Sequence, residues 1–363
     1  METDKKKKRT NILLLLGVII LFFVVFEIVL RLFNYPNYGF QEGVFVSDDV
    51  VGYKLSPNYE GVQSVPGKMF GLKTNSKGLR DDREYNYEKR ENISRILILG
   101  DSFAFGNGVE LKETYAEYLR ELFSNQSVEV VNLGVPGYGI NNEYLSFIEE
   151  GYKYNPDIII LNYVTNDWNT HQISEDEFGN EVVNKSHTLS ANDKGVLISS
   201  FKISSLVSIH HHLLFNLRTY SFFYSQSRLL LSNVVDKFLK NQGVPTYFLD
   251  KNSPEYQQAY DGYSSLIKKL DESTNAKIII LVGPSRDELL NQEQIQEAYN
   301  LNYEISPDQT QKSVEEIADK LNIQFLRVYS QDPNIFIKVD GHWTPEGHKM
   351  VAEEIYKTIN KNL

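Results

Sequence analysis

The stretch Arg95-Ile-Leu-Ile-Leu-Gly-Asp-Ser102 decides the fold of this chain. A short apolar run between a charged residue and a glycine predicts a parallel strand that is covered on both faces. Ligands of open α/β sheets bind beyond the carboxyl ends of such strands, so Ser102 is expected at a functional site. Gly100 permits the sharp turn that this requires. Taken alone, Ser102 has an alternative role as the N-cap of the next helix.

Strand and helix patterns alternate along the rest of the chain. An amphipathic helix follows Ser102, with apolar residues on one face and charges on the other. Strand, helix, strand, helix predicts α/β class: a three-layer α/β/α sandwich around a central, mostly parallel five-stranded sheet. The later strands are predicted at Val128–Asn132, Asp157–Asn162, Lys277–Val282 and Ile323–Val328, and the helices at Glu113–Phe123, Asn142–Lys153, Tyr256–Leu270, Val314–Leu321 and Glu346–Ile359.

Three later segments supply groups that an activated serine needs. They are Asn132-Leu-Gly-Val-Pro-Gly-Tyr-Gly139, Tyr163-Val-Thr-Asn-Asp167 and Asp340-Gly-His-Trp-Thr-Pro-Glu-Gly-His348. In order, spacing and flanking strands, the four blocks resemble the SGNH (GDSL-type) hydrolase superfamily, whose blocks carry Ser, Gly, Asn and His. The resemblance runs from about Asn92 to the C-terminus. It implies a flavodoxin-like SGNH hydrolase fold and ester chemistry at a serine.

A serine hydroxyl is a poor nucleophile at neutral pH and needs a base that a third group orients. The resemblance implies Ser102 as nucleophile, His342 as base and Asp340 as the orienting carboxylate. Many members space the pair Asp-x-x-His, whereas this chain has Asp340-Gly-His342-Trp343. The Asp-x-His-Trp form is similar to alginate O-acetylation proteins and related bacterial cell-envelope acyltransferases. His348 is the other candidate base, although packing or capping is favoured for it.

Acyl transfer also requires hydrogen-bond donors for the negative charge that develops on the carbonyl oxygen. The resemblance assigns this oxyanion hole to the backbone N–H groups of Ser102 and Gly137 and the side-chain amide of Asn166. Gly134 is the alternative in the same loop, and Asn166 has an alternative role as a turn residue. Asp101 and Asp167 are expected to organise hydrogen bonds around these loops.

Composition narrows the classes of partner and cofactor. A formal net charge of -11 argues against nucleic acid, because phosphate binding requires a basic face. The absence of cysteine excludes disulfides, a thiol nucleophile and cysteine-based zinc sites. His210-His-His212 invites a metal interpretation, but consecutive helical residues point in different directions, so no metal site is expected there. We expect no cofactor and no metal.

The N-terminus predicts a membrane anchor. The basic cluster Lys5–Arg9 precedes an apolar segment, and a helix from Asn11 to Phe33 would be on the order of 34 Å long, enough to cross a hydrocarbon core of about 30 Å. Basic residues stay in the cytoplasm, so residues 1–10 are expected inside and everything after Asn34 in the periplasm or outside the cell. A cleaved signal peptide is the alternative, but no small-x-small cleavage site follows the apolar run. The prediction is a single-pass protein of the cell membrane.

The sequence divides into four parts. After the tail (1–10) and the anchor (11–33), residues 34–91 are predicted to form a spacer with a small β element, including Gly61–Val65 and Gly71–Thr74. Within this part, Thr74–Arg80 resembles a segment that often precedes the first core strand in membrane-anchored members of the superfamily, but it is interpreted only as a surface turn at Asn75–Gly78. Residues 92–363 form the SGNH hydrolase domain, with an insertion at about 170–254 near the mouth of the site. A long helical stretch, Val207–Lys240, is expected there, its apolar residues, Phe222 and Phe223 among them, serving as core or lid rather than as a second membrane contact.

Three functions remain open at this stage. The first is a serine esterase that removes O-acyl groups, acetyl or other short chains, from cell-envelope glycan or lipid. The second is an O-acyltransferase that moves the acyl group to an envelope polysaccharide, because fold and triad do not separate the two. The third is an inactive glycan-binding module. Expected partners are the acylated substrate, the membrane and, as further candidates, cell-envelope polysaccharide assembly proteins.

Overall fold

The computed structural model describes residues 2–33, 35–37, 39–168, 173–175, 181–183, 189–192, 194–195, 197–199, 213, 217–230 and 244–360. Helix α1 (Glu2–Leu32) comes first. Within the described residues, its segment Lys6–Leu32 is the one helix long and apolar enough to cross a membrane, with a mean hydropathy of 3.2. Side chains such as Leu14, 63% exposed, find no cover on the chain itself.

Two antiparallel hairpins follow α1. Strand β1 (Phe45–Asp48) pairs with β2 (Gly52–Leu55), and β3 (Glu60–Val65) pairs with β4 (Lys68–Lys73). Both fall in the part of the chain where the sequence predicts a small β element. Apolar side chains from these strands form a core that also contains Phe105, which lies three residues after Ser102.

The central sheet has five parallel strands: β5 (Ser94–Leu99), β6 (Val128–Asn132), β7 (Ile158–Tyr163), β8 (Lys277–Val282) and β9 (Gln324–Arg327). Their order is β9-β8-β7-β5-β6. This is the doubly wound flavodoxin-like arrangement. Residues 96–99 of β5 are fully buried, as expected for a strand covered on both faces. The predicted fold class is therefore confirmed.

Helices cover both faces of this sheet. Among the described residues, the helices after α1 are α2 (Ser102–Phe105), α3 (Tyr115–Leu122), α4 (Ile140–Glu149), α5 (Arg218–Leu230), α6 (Pro254–Glu272), α7 (Gln292–Tyr299), α8 (Gln309–Leu321) and α9 (Pro345–Asn360). One buried core packs residues of α3 and α9 against the sheet, and the other packs residues of α4, α6 and α8.

Two helices differ from the sequence prediction. Helix α8 begins at Gln309 rather than Val314, because its first turn buries polar side chains that an apolar pattern does not reveal. Gln309 donates to the Leu249 carbonyl at 2.8 Å. Helix α7, with a four-residue turn before it, was not predicted.

The predicted insertion is only partly described. Two short hairpins pair Ile173–Glu175 with Glu181–Val183 and Leu189–Ala191 with Leu197–Ser199. Of the predicted helical stretch Val207–Lys240, the structure describes α5 as helix. The histidines 210–212 lie outside the described residues.

Candidate active site

The sequence motifs meet at the carboxyl edge of the sheet. Ser102 follows β5, Gly137 follows β6 and Asn166 follows β7. Strand β5 lies between β6 and β7, so the chain leaves it in opposite directions on its two sides. Such a switch point opens a crevice at the carboxyl ends, where ligands of doubly wound sheets bind.

Ser102 is the first residue of the short helix α2. The N-cap position belongs to Asp101, whose carboxylate accepts the Phe103 N–H at 2.9 Å. The capping role that Ser102 alone suggested is thus taken by its neighbour. The Asn132 side chain holds the other end of α2 by donating to the Ala104 carbonyl at 2.7 Å.

Arg80 holds the end of α2 and the segment that follows it. Its guanidinium is 3% exposed and donates to the carbonyls of Phe105, Gly106 and Val109 at 2.9, 2.6 and 2.6 Å. Sequence reasoning saw only a turn in Thr74–Arg80 and missed this residue. No signal in the sequence distinguishes it, because the nearby residues Lys77 and Asp81 are charged as well.

His342 joins the serine to a carboxylate. Its Nε2 lies 2.7 Å from Ser102 Oγ, and its Nδ1 contacts Asp340 Oδ1. An ionised carboxylate only accepts hydrogen bonds, so Nδ1 carries the proton and Nε2 accepts from the serine hydroxyl. Burial opposes protonation of the ring, but the hydrogen bond and charge of Asp340 outweigh it and raise the pKa of His342 above its usual value.

The loop that carries His342 is tightly held. Gly341 has φ +91°, a left-handed conformation that lets two residues only two positions apart face each other. The Trp343 indole donates to the Pro284 carbonyl at 2.9 Å. A β-carbon at Gly283 would lie 2.1 Å from that indole, so the ring fills the space a side chain would need.

His348 lies away from the nucleophile. It is 1% exposed, and its Nδ1 accepts the Tyr115 N–H at 3.3 Å. Burial lowers the pKa of His348 to about 3, with smaller contributions from positive charges nearby. The ring is therefore neutral and packed between Tyr115 and Trp343.

The two glycines of the loop after β6, Gly134 and Gly137, have different surroundings. The Gly134 N–H donates to Asn132 Oδ1 at 2.9 Å, and a β-carbon there would lie 2.6 Å from the Phe105 nitrogen. Gly134 thus serves close packing against α2. Gly137 has φ +81° and is exposed at the edge of the sheet.

Asn166 is exposed, and its amide donates to Asp101 Oδ2 at 3.2 Å. Asp101 therefore touches Phe103, Asn166 and the Ser102 hydroxyl. Burial raises the pKa of Asp101, against the hydrogen bonds that it accepts. Asp167, whose carboxylate accepts the Val164 N–H at 2.9 Å, is also buried, and burial raises its pKa well above the usual range.

Among the described residues, no group of three or more histidine or acidic side chains is arranged to hold a metal ion. The described part of the site therefore consists of a serine, a histidine, carboxylates, an amide and backbone N–H groups. These are groups that move protons and donate hydrogen bonds.

Residues 98–350 match the model of the GDSL-like Lipase/Acylhydrolase family. The match covers more than half of the chain, and the chain belongs to this family of ester hydrolases. No curated protein matches the chain.

Solved structures similar to this chain share little sequence with it. A member of the lipolytic protein G-D-S-L family from Veillonella parvula DSM 2008 is 13% identical, with 74% of this chain and 99% of that chain covered and a TM-score of 0.40. An acetyl-xylooligosaccharide esterase from Geobacillus is 14% identical, with 75% and 96% covered and a TM-score of 0.40. A putative acylhydrolase from Bacteroides fragilis NCTC 9343 is 13% identical, with 76% and 90% covered and a TM-score of 0.38.

Proposed function

We propose that this chain is a membrane-anchored serine esterase that hydrolyses O-acyl esters through an acyl-serine at Ser102. The observation that carries the proposal is the 2.7 Å contact between Ser102 Oγ and His342 Nε2, with Asp340 on the other ring nitrogen. A nucleophile, a base and a group that orients the base form the set that serine acyl chemistry needs.

The reaction runs in two halves. His342 Nε2 takes the hydroxyl proton as Ser102 Oγ bonds to the ester carbonyl carbon, and the imidazolium returns that proton to the leaving alcohol as the C–O bond breaks. Water then attacks the carbonyl carbon of the acyl-serine and gives a proton to His342, and the imidazolium passes that proton to Ser102 Oγ as the bond to the acyl group breaks and the carboxylic acid leaves. Asp340 stabilises the imidazolium in both halves.

The oxyanion donors in this proposal are the N–H groups of Ser102 and Gly137 and the amide of Asn166. The engaged Gly134 amide supports Gly137 over Gly134. One N–H of the Asn166 amide is held by Asp101, which orients the group at the edge of the sheet. Asn166→Ala should lower kcat by roughly 10²–10³ with little change in KM. An equal loss of substrate binding would contradict this role.

The anchor completes the proposal. The apolar surface of α1 requires a hydrocarbon environment, and the basic residues before it favour a cytoplasmic N-terminus. The catalytic domain then faces the periplasm or the outside, where acylated envelope glycans and lipids are found. Short acyl groups, acetyl among them, are the proposed leaving acids.

A fluorophosphonate probe tests the mechanism directly. It should label the purified protein at Ser102, and Ser102→Ala should abolish labelling, because the bare site has no other activated hydroxyl. Ser124→Ala, at an exposed serine after α3, is the matched control and should label like the wild type. Labelling that persists in Ser102→Ala would overturn the mechanism.

A second candidate is O-acyl transfer to an envelope polysaccharide. The Asp340-Gly-His342-Trp343 form, similar to alginate O-acetylation proteins, favours it. A sugar hydroxyl would replace water in the second half-reaction, with every other role unchanged. Product analysis with an acyl donor, with and without a glycan acceptor, separates the two: acylated glycan indicates transfer, and free acid alone indicates hydrolysis.

A further inference from the structure

Helix α5 is docked on the C-terminal end of α1 by charge and hydrogen bonds. The Glu27 carboxylate accepts the backbone N–H groups of Arg218 and Thr219 at 3.4 and 2.8 Å. In return the Arg218 guanidinium donates to the carbonyls of Leu30 and Arg31 at 3.1 and 3.2 Å. Each helix thus hydrogen-bonds to end groups of the other, and the charges match the two helix dipoles.

Aromatic side chains extend this contact along α1. The Phe26 ring lies 5.4 Å from Phe222 and 5.9 Å from Phe223, and Phe23 lies 6.0 Å from Phe223. Phe23 and Phe26 belong to the apolar segment of α1. Phe223 nevertheless stays 46% exposed. The face of α5 that carries these rings therefore shares the surroundings of the last turns of α1.

The two docked helices are connected to the catalytic crevice along two paths, the first from α5 and the second from the end of α1. The Gly67 N–H, at the turn between β3 and β4, lies 3.4 Å from the Ser225 hydroxyl of α5. In the same hairpin, Val65 packs against Gly108, since its Cγ2 lies 3.2 Å from the position that a β-carbon at Gly108 would take. Gly108 follows Asn107, whose side-chain nitrogen lies 3.5 Å from His342 Nδ1.

The second path is shorter. Phe40 packs on Phe105 of α2, with ring centroids 5.9 Å apart, and α2 carries Ser102. Phe40 lies eight positions after Leu32, the last residue of α1, so the two residues are at most roughly 29 Å apart. If α1 spans a bilayer, the nucleophile cannot lie far from its outer surface.

We propose that α5 is an interfacial helix that places Phe222 and Phe223 in the outer leaflet beside α1 and holds the mouth of the site at the membrane surface, so that the substrates are acyl esters carried by membrane lipids. The inference rests on the proposed esterase function. Phenylalanine side chains on the apolar face of an interfacial helix bury in the boundary between headgroups and acyl chains. The pairing of Glu27 with Arg31 and with the N-terminus of α5 lowers the cost of an acidic group in an apolar span. Removal of α1 by a signal peptidase would leave α5 without this partner.

Lipid quenching tests where α5 lies. The full chain with Phe223→Trp is reconstituted in vesicles of phosphatidylcholine whose acyl chains carry bromine near the headgroup end, and tryptophan fluorescence is measured. The fluorescence of the two buried native tryptophans, taken from the wild type, is subtracted. Tyr152→Trp is the matched control, because Tyr152 is 54% exposed and precedes β7, at the opposite edge of the sheet. We expect quenching at position 223 and none at 152. An unquenched tryptophan at 223 would overturn the inference.

Substrate preference tests the consequence. Phe222→Ser/Phe223→Ser should keep the wild-type rate on water-soluble 4-nitrophenyl acetate and lose roughly tenfold on the acetate ester of a long-chain alcohol embedded in vesicles, the change for about 1.4 kcal/mol of lost surface binding. Equal losses on both substrates, or no loss on either, would contradict the inference. Failure of the esterase proposal has a different signature: the wild type hydrolyses neither ester and Ser102 is not labelled, while the quenching result still stands by itself.

Discussion

His342 and His348 lie six positions apart in one motif, yet their surroundings give them opposite properties. His342 is half-buried at the crevice, touches a serine and a carboxylate, and has a raised pKa. His348 is sealed under Tyr115 and Trp343, and its pKa falls to about 3. Burial lowers the pKa of both rings, but the hydrogen bond and negative charge of Asp340 outweigh it at His342, whereas positive charges add to it at His348.

This contrast explains why residue type alone does not identify a base. A histidine is useful in acid–base chemistry when its pKa is near the working pH and a reacting proton is within reach. His342 has a raised pKa and contacts the Ser102 hydroxyl, whereas the pKa of His348 is lowered and its ring lies away from that hydroxyl. The following predictions test that contrast.

Alanine at position 342 should have the largest effect. Loss of the base should slow fluorophosphonate labelling of Ser102 by roughly 10²–10⁴. His348→Asn retains an acceptor for the Tyr115 N–H and should label at nearly the wild-type rate. Stopped-flow or gel-based labelling kinetics measure both. The opposite ranking would make His348 the base and leave the family assignment intact.

Asparagine at position 340 brings the surroundings of His342 closer to those of His348, because it removes the negative charge. The labelling rate should fall by roughly 10²-fold or more, since the amide does not enforce the productive tautomer. The pH below which the labelling rate falls should be lower in this variant than in the wild type, because Asp340 raises the pKa of His342. A pH profile of the labelling rate measures the shift. An unchanged pH dependence would mean that another group sets it.

His348 should contribute the smallest effect, on stability in acid. In the unfolded chain its pKa is near 6.5, whereas in the folded chain it is about 3, so the unfolded state alone binds this proton between those values. Stability therefore falls as the pH drops through that window, by at most about 1.4 kcal/mol per pH unit from this group. Urea unfolding at several pH values should show a shallower fall in His348→Asn. Equal slopes would place the acid sensitivity elsewhere.

The sheet was predictable because its information is local. Strands β6 and β8 match the predicted ranges, since short β-branched runs bounded by polar residues leave little choice of structure. The motifs then follow the strands in chain order, and the parallel topology alone brings Ser102, Gly137 and Asn166 to one edge.

What the sequence did not predict depends on distant contacts. The buried role of Arg80 arises only when the β3–β4 region meets α2, some 25 positions later. The docking of Arg218 on Glu27 joins segments 191 positions apart. The first turn of α8 buries polar side chains because Leu249 and Tyr256 accept or donate hydrogen bonds there. In each case a polar residue, which local patterns assign to solvent, is held by a partner far away in the chain.

The Trp343 indole occupies the space that a side chain at Gly283 would need, although the two residues are sixty positions apart in the chain. Any side chain added at 283 must displace the ring, and the residue beside that ring is the histidine that contacts Ser102. Divergence at either position is therefore permitted only as a paired exchange of volume, a larger residue at 283 with a smaller one at 343. A designer who wishes to reshape this side of the crevice has to treat the two positions as a single variable, since a change in one alone would move the base before it changed the substrate.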